Sequence, residues 1–303
     1  YTDVSGAVLY HHENADGTGT FGKRWDEIPL FARIIHLCDM VDVMGNSCDF
    51  SGESWIRAKE YVCRNRNILF DSECADAFLE VFSEENFVSM SQDRFEDELW
   101  KKIPRDKRDC DFETCKGIAD FFAGIVDYKS EFTGKHSLGV AKKAAELAEY
   151  MGYSQADIEK FYMAGALHDI GKMAIGNEIL EKPGRLTDEE FSRMKNHAGY
   201  TYMILSEVKD FDEVRDWAAL HHEKLDGTGY PFGKKAEELN EPERLMACVD
   251  IYQALTEARP YKSGMSHDKA CSILEDMVQK GWIDAAVTDK LRSCFDVGGR
   301  DMV

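Results

Sequence analysis

The sequence predicts an all-α protein. Apolar residues recur at intervals of three and four positions through most of the 303-residue chain, and this spacing is typical of amphipathic helices rather than strands. Ser154 and Thr187 each precede an acidic residue by three positions, Asp157 and Glu190, which is the pattern of a capped helix start. We therefore expect a chain that is almost wholly helical.

Composition limits what the chain can bind. It is 44% hydrophobic and 31% charged, which is enough for one large domain or two ordinary domains with their own cores. The formal net charge of −20 opposes binding along a polyanionic backbone, so we expect no nucleic-acid polymer as a partner. A small phosphate ester, held by a few local cations and metal ions, remains compatible with this charge.

Three features bear on where the protein works. The sequence has no apolar run of the roughly 18 residues that a membrane span needs, and no export leader at its start. Its nine cysteines are scattered and lack the close pairs of thiolate zinc sites. We expect a cytoplasmic protein with reduced cysteines, and, because the chain begins at Tyr1 without a methionine, a fragment or processed product.

The beginning of the chain repeats a later segment. His11 and its neighbours recur 210 positions on (221 − 11 = 210), and after one missing residue the offset becomes 211, which pairs Asp39 with Asp250. The residues that repeat in the second copy begin with His221, His222, Glu223, Asp226, Gly227, Thr228 and Gly229. The sequence therefore predicts two related modules, of which the first has no upstream histidines within this chain.

The first copy is degenerate. Thr20 stands in the place of Tyr230, and neither Arg259 nor Lys262 has a basic counterpart. A charged stretch with Pro104 as a breaker separates the two copies. We expect two domains, a degenerate partial module with its linker over residues 1–104 and a catalytic domain over residues 105–303.

Polar residues with metal-binding side chains lie within apolar stripes of the predicted helices. His168 shares a face with Phe161, and its neighbour is Asp169. A single buried histidine is usually explained by a hydrogen bond to a backbone carbonyl, but burying many such groups unpaired is costly. Shared cations are the simpler explanation for a whole set on inward faces, namely His136, His168, Asp169, His197, His221, His222 and Asp250.

The donor set limits the metal and suggests a reaction. Imidazole and carboxylate ligands without thiolate suit iron, manganese, zinc, nickel or cobalt. An aspartate beside a histidine, such as Asp169, can bridge two ions roughly 3.5–4 Å apart, and a hydroxide can form between them near neutral pH. The expected reaction is attack of that bridging hydroxide on phosphorus, with both ions stabilising the charge that develops on oxygen.

The order of the motifs from about Phe112 to Phe295 carries a resemblance to a known family. The chain resembles the HD-GYP family, the cyclic-dinucleotide phosphodiesterases within the HD superfamily. The motifs that match are His136-Ser137, His168-Asp169-Ile170-Gly171-Lys172, Lys182-Pro183-Gly184-Arg185-Leu186-Thr187, His197, His221-His222-Glu223, Asp226-Gly227-Thr228-Gly229-Tyr230-Pro231, and Asp250 through Arg259-Pro260-Tyr261.

The resemblance implies an HD-superfamily helical domain with a metal centre of two or three ions, usually iron or manganese. It implies hydrolysis of cyclic di-GMP to pGpG or GMP, while some members prefer 3′,3′-cyclic GMP-AMP. Asp169 would bridge the ions. The implied ligands are His136, His168, Asp169, His197, His221, His222 and Asp250.

One position departs from the pattern expected for a third ion. Members with three ions are expected to carry a glutamate four residues before the first histidine, and here Phe132 stands there, with Glu131 one place off. We therefore expect two divalent ions, iron or manganese, and linear pGpG as the end product.

The resemblance and the chemistry also suggest substrate contacts. Lys172 follows the His-Asp pair by one turn and is expected to touch the same phosphate, and Arg259 and Lys262 resemble the phosphate clamps of the family. Tyr230 either stacks on a purine or packs beneath its loop. For Glu223 and its loop, hydrogen bonding within the loop is expected rather than metal ligation.

Two other functions remain open for the second module, an HD-superfamily nucleotide phosphohydrolase and a non-catalytic cyclic-dinucleotide receptor. The loop from Asp226 to Pro231 and the cations Arg259 and Lys262 count against the first alternative, and the complete ligand set counts against the second. The first module is either a regulatory or dimerising partner of the active module or a helical scaffold.

Overall fold

The computed structural model describes residues 4–46, 50–90, 101, 111–129, 136–258 and 263–296. Within these ranges the regular structure consists of helices. The described residues outside the helices form only isolated β-bridges. The predicted all-α class is confirmed. No helix within the described ranges combines the length and the apolar character needed to cross a bilayer.

The chain divides into two compact units, Tyr1–Arg108 and Asp109–Val303. The domain boundary predicted near Pro104 falls among residues 102–110, which lie outside the described residues, and it stays a prediction.

The first unit is built from five described helices, and three of them begin at a side-chain cap. Ser51, Asp71 and Ser83 each accept a hydrogen bond from a backbone N–H of the first turn that follows. Apolar residues including Trp55, Phe78 and Phe87 form a separate buried core. The helices are α1 (Val4–Tyr10), α2 (Leu30–Asn46), α3 (Gly52–Arg64), α4 (Ser72–Val81) and α5 (Glu84–Ser89).

The second unit is also helical. Its helices are α6 (Phe112–Lys129), α7 (His136–Tyr150), α8 (Gln155–Leu167), α9 (Asn177–Leu180), α10 (Asp188–Ser206), α11 (Asp212–Ala219), α12 (Glu241–Thr256), α13 (His267–Gln279) and α14 (Ala285–Phe295), with short 3₁₀ turns at Ile170–Ala174 and Ala236–Glu238.

Both helix starts that the sequence predicts in this unit are confirmed. Ser154 accepts a hydrogen bond from the backbone N–H of Asp157, and Thr187 forms a reciprocal capping box with Glu190. These caps fix the first residues of α8 and α10. His168 follows the last residue of α8, and His197 lies within α10. The two caps therefore help to set where these histidines lie.

Close packing of α7 against α8 sets the framework of the second unit. Gly165 permits the approach, because a Cβ at this position would lie only 2.6 Å from the Ala141 Cα. Phe161 stacks on Trp217 at 4.4 Å between ring centroids and joins α8 to α11. Buried Val140, Ala144, Leu147 and Leu245 continue this core. The start of α7 and the end of α8 are thereby held side by side.

Each unit contains a loop in which a buried glutamate binds backbone N–H groups. In the second unit, Glu223 accepts hydrogen bonds from the backbone of Phe232, Gly233 and Lys234 at 2.7–3.1 Å. In the first unit, Glu13 accepts from the backbone of two residues in the corresponding loop, Phe21 and Lys23. The hydrogen bonding predicted for Glu223 is confirmed.

The two loops share further details. Asp226 accepts from the backbone N–H and the hydroxyl of Thr228, and Asp16 accepts from Thr18 in the same two ways. Arg244 pairs with the helix cap Asp284, and Arg33 pairs with the helix cap Asp71. The repeat found in the sequence is therefore accompanied by a shared hydrogen-bonding pattern. A common family origin of the two units stays a prediction.

Candidate metal centre

The second unit brings the predicted metal-binding side chains together from separate segments. His136 begins α7, His168 and Asp169 end α8, and His197 lies on α10. His221 and His222 follow α11, and Asp250 lies on α12. All are buried except His222, which is half-buried. A cavity of about 140 Å³ is lined by His136, His168, Asp169, Lys172, His221, His222, Asp250 and Ala254.

The turn that carries Asp169 is fixed against α10. Thr201 is fully buried, and its hydroxyl donates to the His168 carbonyl and accepts from the Gly171 N–H, both at 3.0 Å. A Cβ on Gly171 would lie 2.0 Å from the His197 carbonyl oxygen, so only glycine allows the turn to sit this close to α10. This contact places Asp169 opposite His197.

The start of α7 is fixed by a buried carboxylate from α6. Asp127 accepts hydrogen bonds from the backbone N–H of Ser137 at 3.1 Å and from its hydroxyl at 2.7 Å. A carboxylate at a helix N-terminus is favoured because the first N–H groups of a helix have no partner within it. Asp127 thereby holds the first turn of α7, where His136 lies.

Three histidines share one mode of ring orientation. The Nδ1 atoms of His168, His197 and His221 lie 2.7, 2.7 and 2.6 Å from the carbonyl oxygens of Gly165, Met194 and Ala218 respectively. A carbonyl oxygen only accepts, so in each neutral ring Nδ1 carries the proton and Nε2 keeps its lone pair. The three Nε2 atoms are thus prepared as ligands.

The Nε2 atoms face the carboxylates of the cluster. His136 Nε2 lies 3.2 Å from Asp250 Oδ1, while His168 Nε2 and His197 Nε2 lie 3.3 and 3.4 Å from the two different oxygens of Asp169. The buried Nε2 atoms of His197 and His221 have no hydrogen-bond partner among the described residues.

These unpaired buried nitrogens test whether the site fits a metal ion. A buried polar atom without a partner is costly, and a cation in the cluster would satisfy both Nε2 atoms at once. Three sets of ligand atoms each lie within 4.8 Å of one another, and the donor types suit divalent iron, manganese or zinc. The residues present therefore fit such ions. The sets are His197-His221-His222, His136-His168-Asp250 and His168-Asp169-His221.

Burial keeps several of the histidines neutral. It lowers the pKa of His222 to about 4, and it also lowers the pKa of His197 and, more strongly, that of His221. Neutral imidazole is the form that binds metal ions, so these rings need lose no proton at neutral pH.

The two carboxylates remain anionic although they are buried. Burial would raise the pKa of Asp169, but the charge of Lys172, whose Nζ lies 2.5 Å from Oδ2, and the neighbouring His168 hold it well below its usual value. Burial would likewise raise the pKa of Asp250, and its hydrogen bond with His136 outweighs this and lowers it. Both oxygens of Asp169 thus face cationic or ligand groups.

His136 differs from His197, His221 and His222, because its pKa is raised rather than lowered. Burial alone would lower its pKa, but hydrogen bonds with Asp250 and Glu257 outweigh burial and raise the pKa to about 10. A protonated His136 thus lies between the carboxylates of Asp250 and Glu257.

Tyr230 forms a wall between the histidines and a neighbouring groove. Its ring centroid lies 4.7 Å from that of His222 and 6.2 Å from that of His197. On its other side Tyr230 lines a groove of about 450 Å³, beside Lys195 and Phe232. Both roles predicted for Tyr230, packing beneath the loop and contact with a base, remain compatible with this position.

Several residues named in the sequence analysis lie outside the described part of the chain. Arg259 and Lys262, the predicted phosphate clamps, lie outside the described residues, as do Phe132 and Glu131. Their roles stay predictions. Lys172 is placed, and it lines the same cavity as the histidines while contacting Asp169.

Sequence reasoning missed three residues that hold the cluster, Asp127, Thr201 and Glu257. Only Glu257 had a usable signal. It follows Asp250 by seven positions (257 − 250 = 7), and two helical turns bring both side chains to the same face. Asp127 and Thr201 act through partners on other helices, which no local pattern reveals.

Comparison with known proteins identifies the family to which this chain belongs. The HD domain profile matches residues 120–287. The 3′3′-cGAMP-specific phosphodiesterase 1 of Vibrio cholerae is 33% identical over 293 residues, which cover 93% of this chain and 68% of that protein. The chain belongs to the HD domain family, and the resemblance to its HD-GYP members is confirmed.

Two further relatives differ in how much of the chain they match. A cyclic di-GMP phosphodiesterase of Vibrio cholerae is 40% identical over 167 residues, which cover 50% of this chain and 34% of that protein. The crystal structure of a cyclic GMP-AMP-specific phosphodiesterase of V. cholerae superposes with a TM-score of 0.63 at 27% identity, covering 97% of this chain and 67% of that one. The likeness to that structure extends over both units of the chain.

Proposed function

We propose that this chain is a metal-dependent phosphodiesterase that hydrolyses a cyclic dinucleotide second messenger to a linear dinucleotide. One observation carries the proposal: imidazole and carboxylate groups from separate helices converge in one buried cluster, where the Nε2 atoms of His197 and His221 have no partner among the described residues. Such a cluster is suited to neighbouring divalent ions, which supply Lewis acidity and make a water molecule more acidic.

The proposed ligands divide into terminal and bridging groups. Asp169 is suited to bridge two ions, because one oxygen faces His168 and the other faces His197. Two ions, iron or manganese, are proposed rather than three, because Phe132 stands where a third ion would need a glutamate. The terminal ligands are His136, His168, His197, His221, His222 and Asp250.

Other residues bind the substrate in this proposal. Lys172 lines the cavity and offers a positive charge to a phosphate, while its contact with Asp169 keeps that carboxylate ionised. Arg259 and Lys262 bind the second phosphate, and Tyr230 contacts a base from its position beside His222.

The preferred substrate follows from how far the relatives align. The relative aligned over 93% of this chain is named for 3′3′-cGAMP, whereas the relative named for cyclic di-GMP aligns over 50%. This favours 3′3′-cyclic GMP-AMP as the better substrate, with cyclic di-GMP as the second candidate and pGpG as its product.

We further propose that the first unit is a degenerate partial copy of the second and acts as a regulatory or dimerising partner. The matched glutamate loops support the copy, and within the described ranges the groups of three candidate ligands all lie in the second unit.

The described cysteines are all free, which agrees with a protein that works in the cytoplasm.

The test is product analysis with the full chain. Protein loaded with manganese or iron is incubated with 3′3′-cyclic GMP-AMP, cyclic di-GMP and mononucleotides, and the products are separated by chromatography. The proposal predicts linear dinucleotides from the cyclic substrates and intact mononucleotides. Phosphate release from mononucleotides alone would indicate a nucleotide phosphohydrolase, and binding of the cyclic dinucleotide without cleavage would indicate a receptor.

A further inference from the structure

A side-chain carboxylate faces Nδ1 of His136, whereas backbone carbonyls face Nδ1 of three other histidines in the cluster. His168, His197 and His221 each bind the carbonyl oxygen three residues earlier through Nδ1. His136 begins the described part of α7, and its Nδ1 faces a side-chain carboxylate. An acceptor at Nδ1 keeps the proton on that nitrogen, so that Nε2 presents its lone pair to the cluster.

Glu257 supplies that acceptor. Its Oε2 lies 3.0 Å from His136 Nδ1, and the two side chains are only 8% and 9% exposed. The Glu257 backbone N–H binds the Gln253 carbonyl and so fixes the residue at the end of α12. Asp250 on the same helix lies 3.2 Å from His136 Nε2. Carboxylates at α12 therefore contact both nitrogens of the His136 ring.

We propose that Glu257 is a positioning residue that fixes the His136 ring with its proton on Nδ1 and so presents Nε2 as a metal ligand. A carboxylate bound to the far nitrogen of a ligating histidine sets the ring orientation and makes the ring a better donor. Glu257 thus does for His136 what backbone carbonyls do for the other three rings. This inference rests on the proposed metal-dependent function.

Metal affinity measures this role without any assay of activity. Titration of the metal-free full chain with Mn²⁺, followed by calorimetry, is compared for the wild type, Glu257→Ala and Glu257→Gln. We expect Glu257→Ala to weaken Mn²⁺ binding by roughly 10- to 100-fold. Glu257→Gln keeps an oxygen that can accept from Nδ1 and is expected to recover most of that loss.

Glu243→Ala is the matched control. Glu243 is a buried carboxylate on the same helix, but it binds the Asn240 backbone and side chain in the capping box of α12 rather than a histidine. Its loss is expected to lower stability and leave Mn²⁺ affinity unchanged. Equal weakening by Glu243→Ala and Glu257→Ala, or unchanged affinity in Glu257→Ala, overturns the inference while the proposed function stands.

A second measurement needs no variant at position 257. Nitrogen-15 NMR of the histidine rings in the zinc-bound wild type, with His136→Gln to assign its signals, reports which nitrogen carries the proton. A proton on His136 Nδ1 supports the inference, and a proton on Nε2 overturns it. A wild-type chain that binds no divalent ion at all overturns the proposed function and this inference together.

Discussion

At the scale of single residues, the chemistry of the candidate centre depends on which nitrogen of each histidine is free. The carbonyl contacts of His168, His197 and His221 follow from helical geometry, because the acceptor always lies three residues earlier. The sequence places these rings on apolar faces, and this is enough to predict that they are buried. It does not show where Nδ1 binds, which decides whether Nε2 can act as a ligand.

Replacement of the proposed bridging carboxylate gives the first prediction. Asp169→Ala removes the oxygens that face His168 and His197, so we expect hydrolysis of the cyclic dinucleotide to fall by at least about a hundredfold. Rates are measured by chromatography with saturating Mn²⁺. Asp212→Ala, which removes an acid that is 82% exposed, is the control and should leave the rate unchanged. Turnover that survives Asp169→Ala would refute the bridging role.

The lowered pKa of His222 gives the second prediction. In the metal-free protein the unfolded chain takes up a proton near pH 6.5, whereas the folded ring does so only near its pKa of about 4. The free energy of unfolding should therefore fall as the pH falls from 6.5 towards 4. His136, with a pKa raised to about 10, stays protonated in the folded state over this window, and its unfolded form is also protonated well below pH 6.5, so it adds little slope in the lower part of the window.

Urea unfolding in the presence of a chelator measures this slope. His222→Asn should reduce the slope by up to about 1.4 kcal/mol per pH unit, the most that a single group can contribute. An unchanged slope in this variant would show that His222 titrates normally in the folded protein.

At the scale of secondary-structure elements, the site depends on how closely the 3₁₀ turn at Ile170–Ala174 approaches α10. The capping residues Ser154 and Thr187 made the starts of α8 and α10 predictable from sequence. The bond between Thr201 and the His168 carbonyl joins residues 33 positions apart, and that between His136 and Glu257 joins residues 121 positions apart. No local pattern encodes such pairs. The spacing of seven between Asp250 and Glu257 places these two side chains on one face, but only the folded structure shows that His136 lies between them.

A glycine pair tests the packing of the His-Asp turn. Gly171→Ala would place a Cβ 2.0 Å from the His197 carbonyl oxygen, and this backbone atom cannot move without α10. We expect a loss of roughly 1–3 kcal/mol in unfolding free energy together with weaker Mn²⁺ binding. Urea unfolding and calorimetry provide the two measurements.

Gly117→Ala is the matched control for that substitution. Gly117 is exposed within α6, and an added Cβ would meet nothing within 4 Å. Its replacement should stabilise the helix by up to about 1 kcal/mol, because alanine is the better helix former. Equal effects of the two substitutions would contradict the close approach described for Gly171.

At the scale of the whole molecule, the two units have separate cores and similar loops but different ligand sets. Three groups of candidate ligand atoms lie in the second unit, and none involves a described residue of the first. The two segments that the sequence repeat pairs contain loops with similar hydrogen bonds, at Glu13 and at Glu223.

Paired histidines in the two units give the fourth prediction. His11→Ala with His12→Ala should leave the metal content of the full chain unchanged, because these residues join no group of three ligand atoms in the described structure. His221→Ala with His222→Ala should lower the metal content sharply. Elemental analysis of anaerobically purified protein measures both. A comparable loss from the first pair would show that the first unit also binds metal.

The central claim is that the buried histidine–aspartate cluster holds two neighbouring divalent ions. Anomalous X-ray diffraction at the manganese edge, from crystals of the Mn²⁺-loaded chain, tests it most directly. We expect two peaks separated by roughly 3.5–4 Å, with Asp169 between them and imidazole nitrogens around them. Crystals that show no anomalous peak among these side chains, or manganese bound only elsewhere, would contradict it.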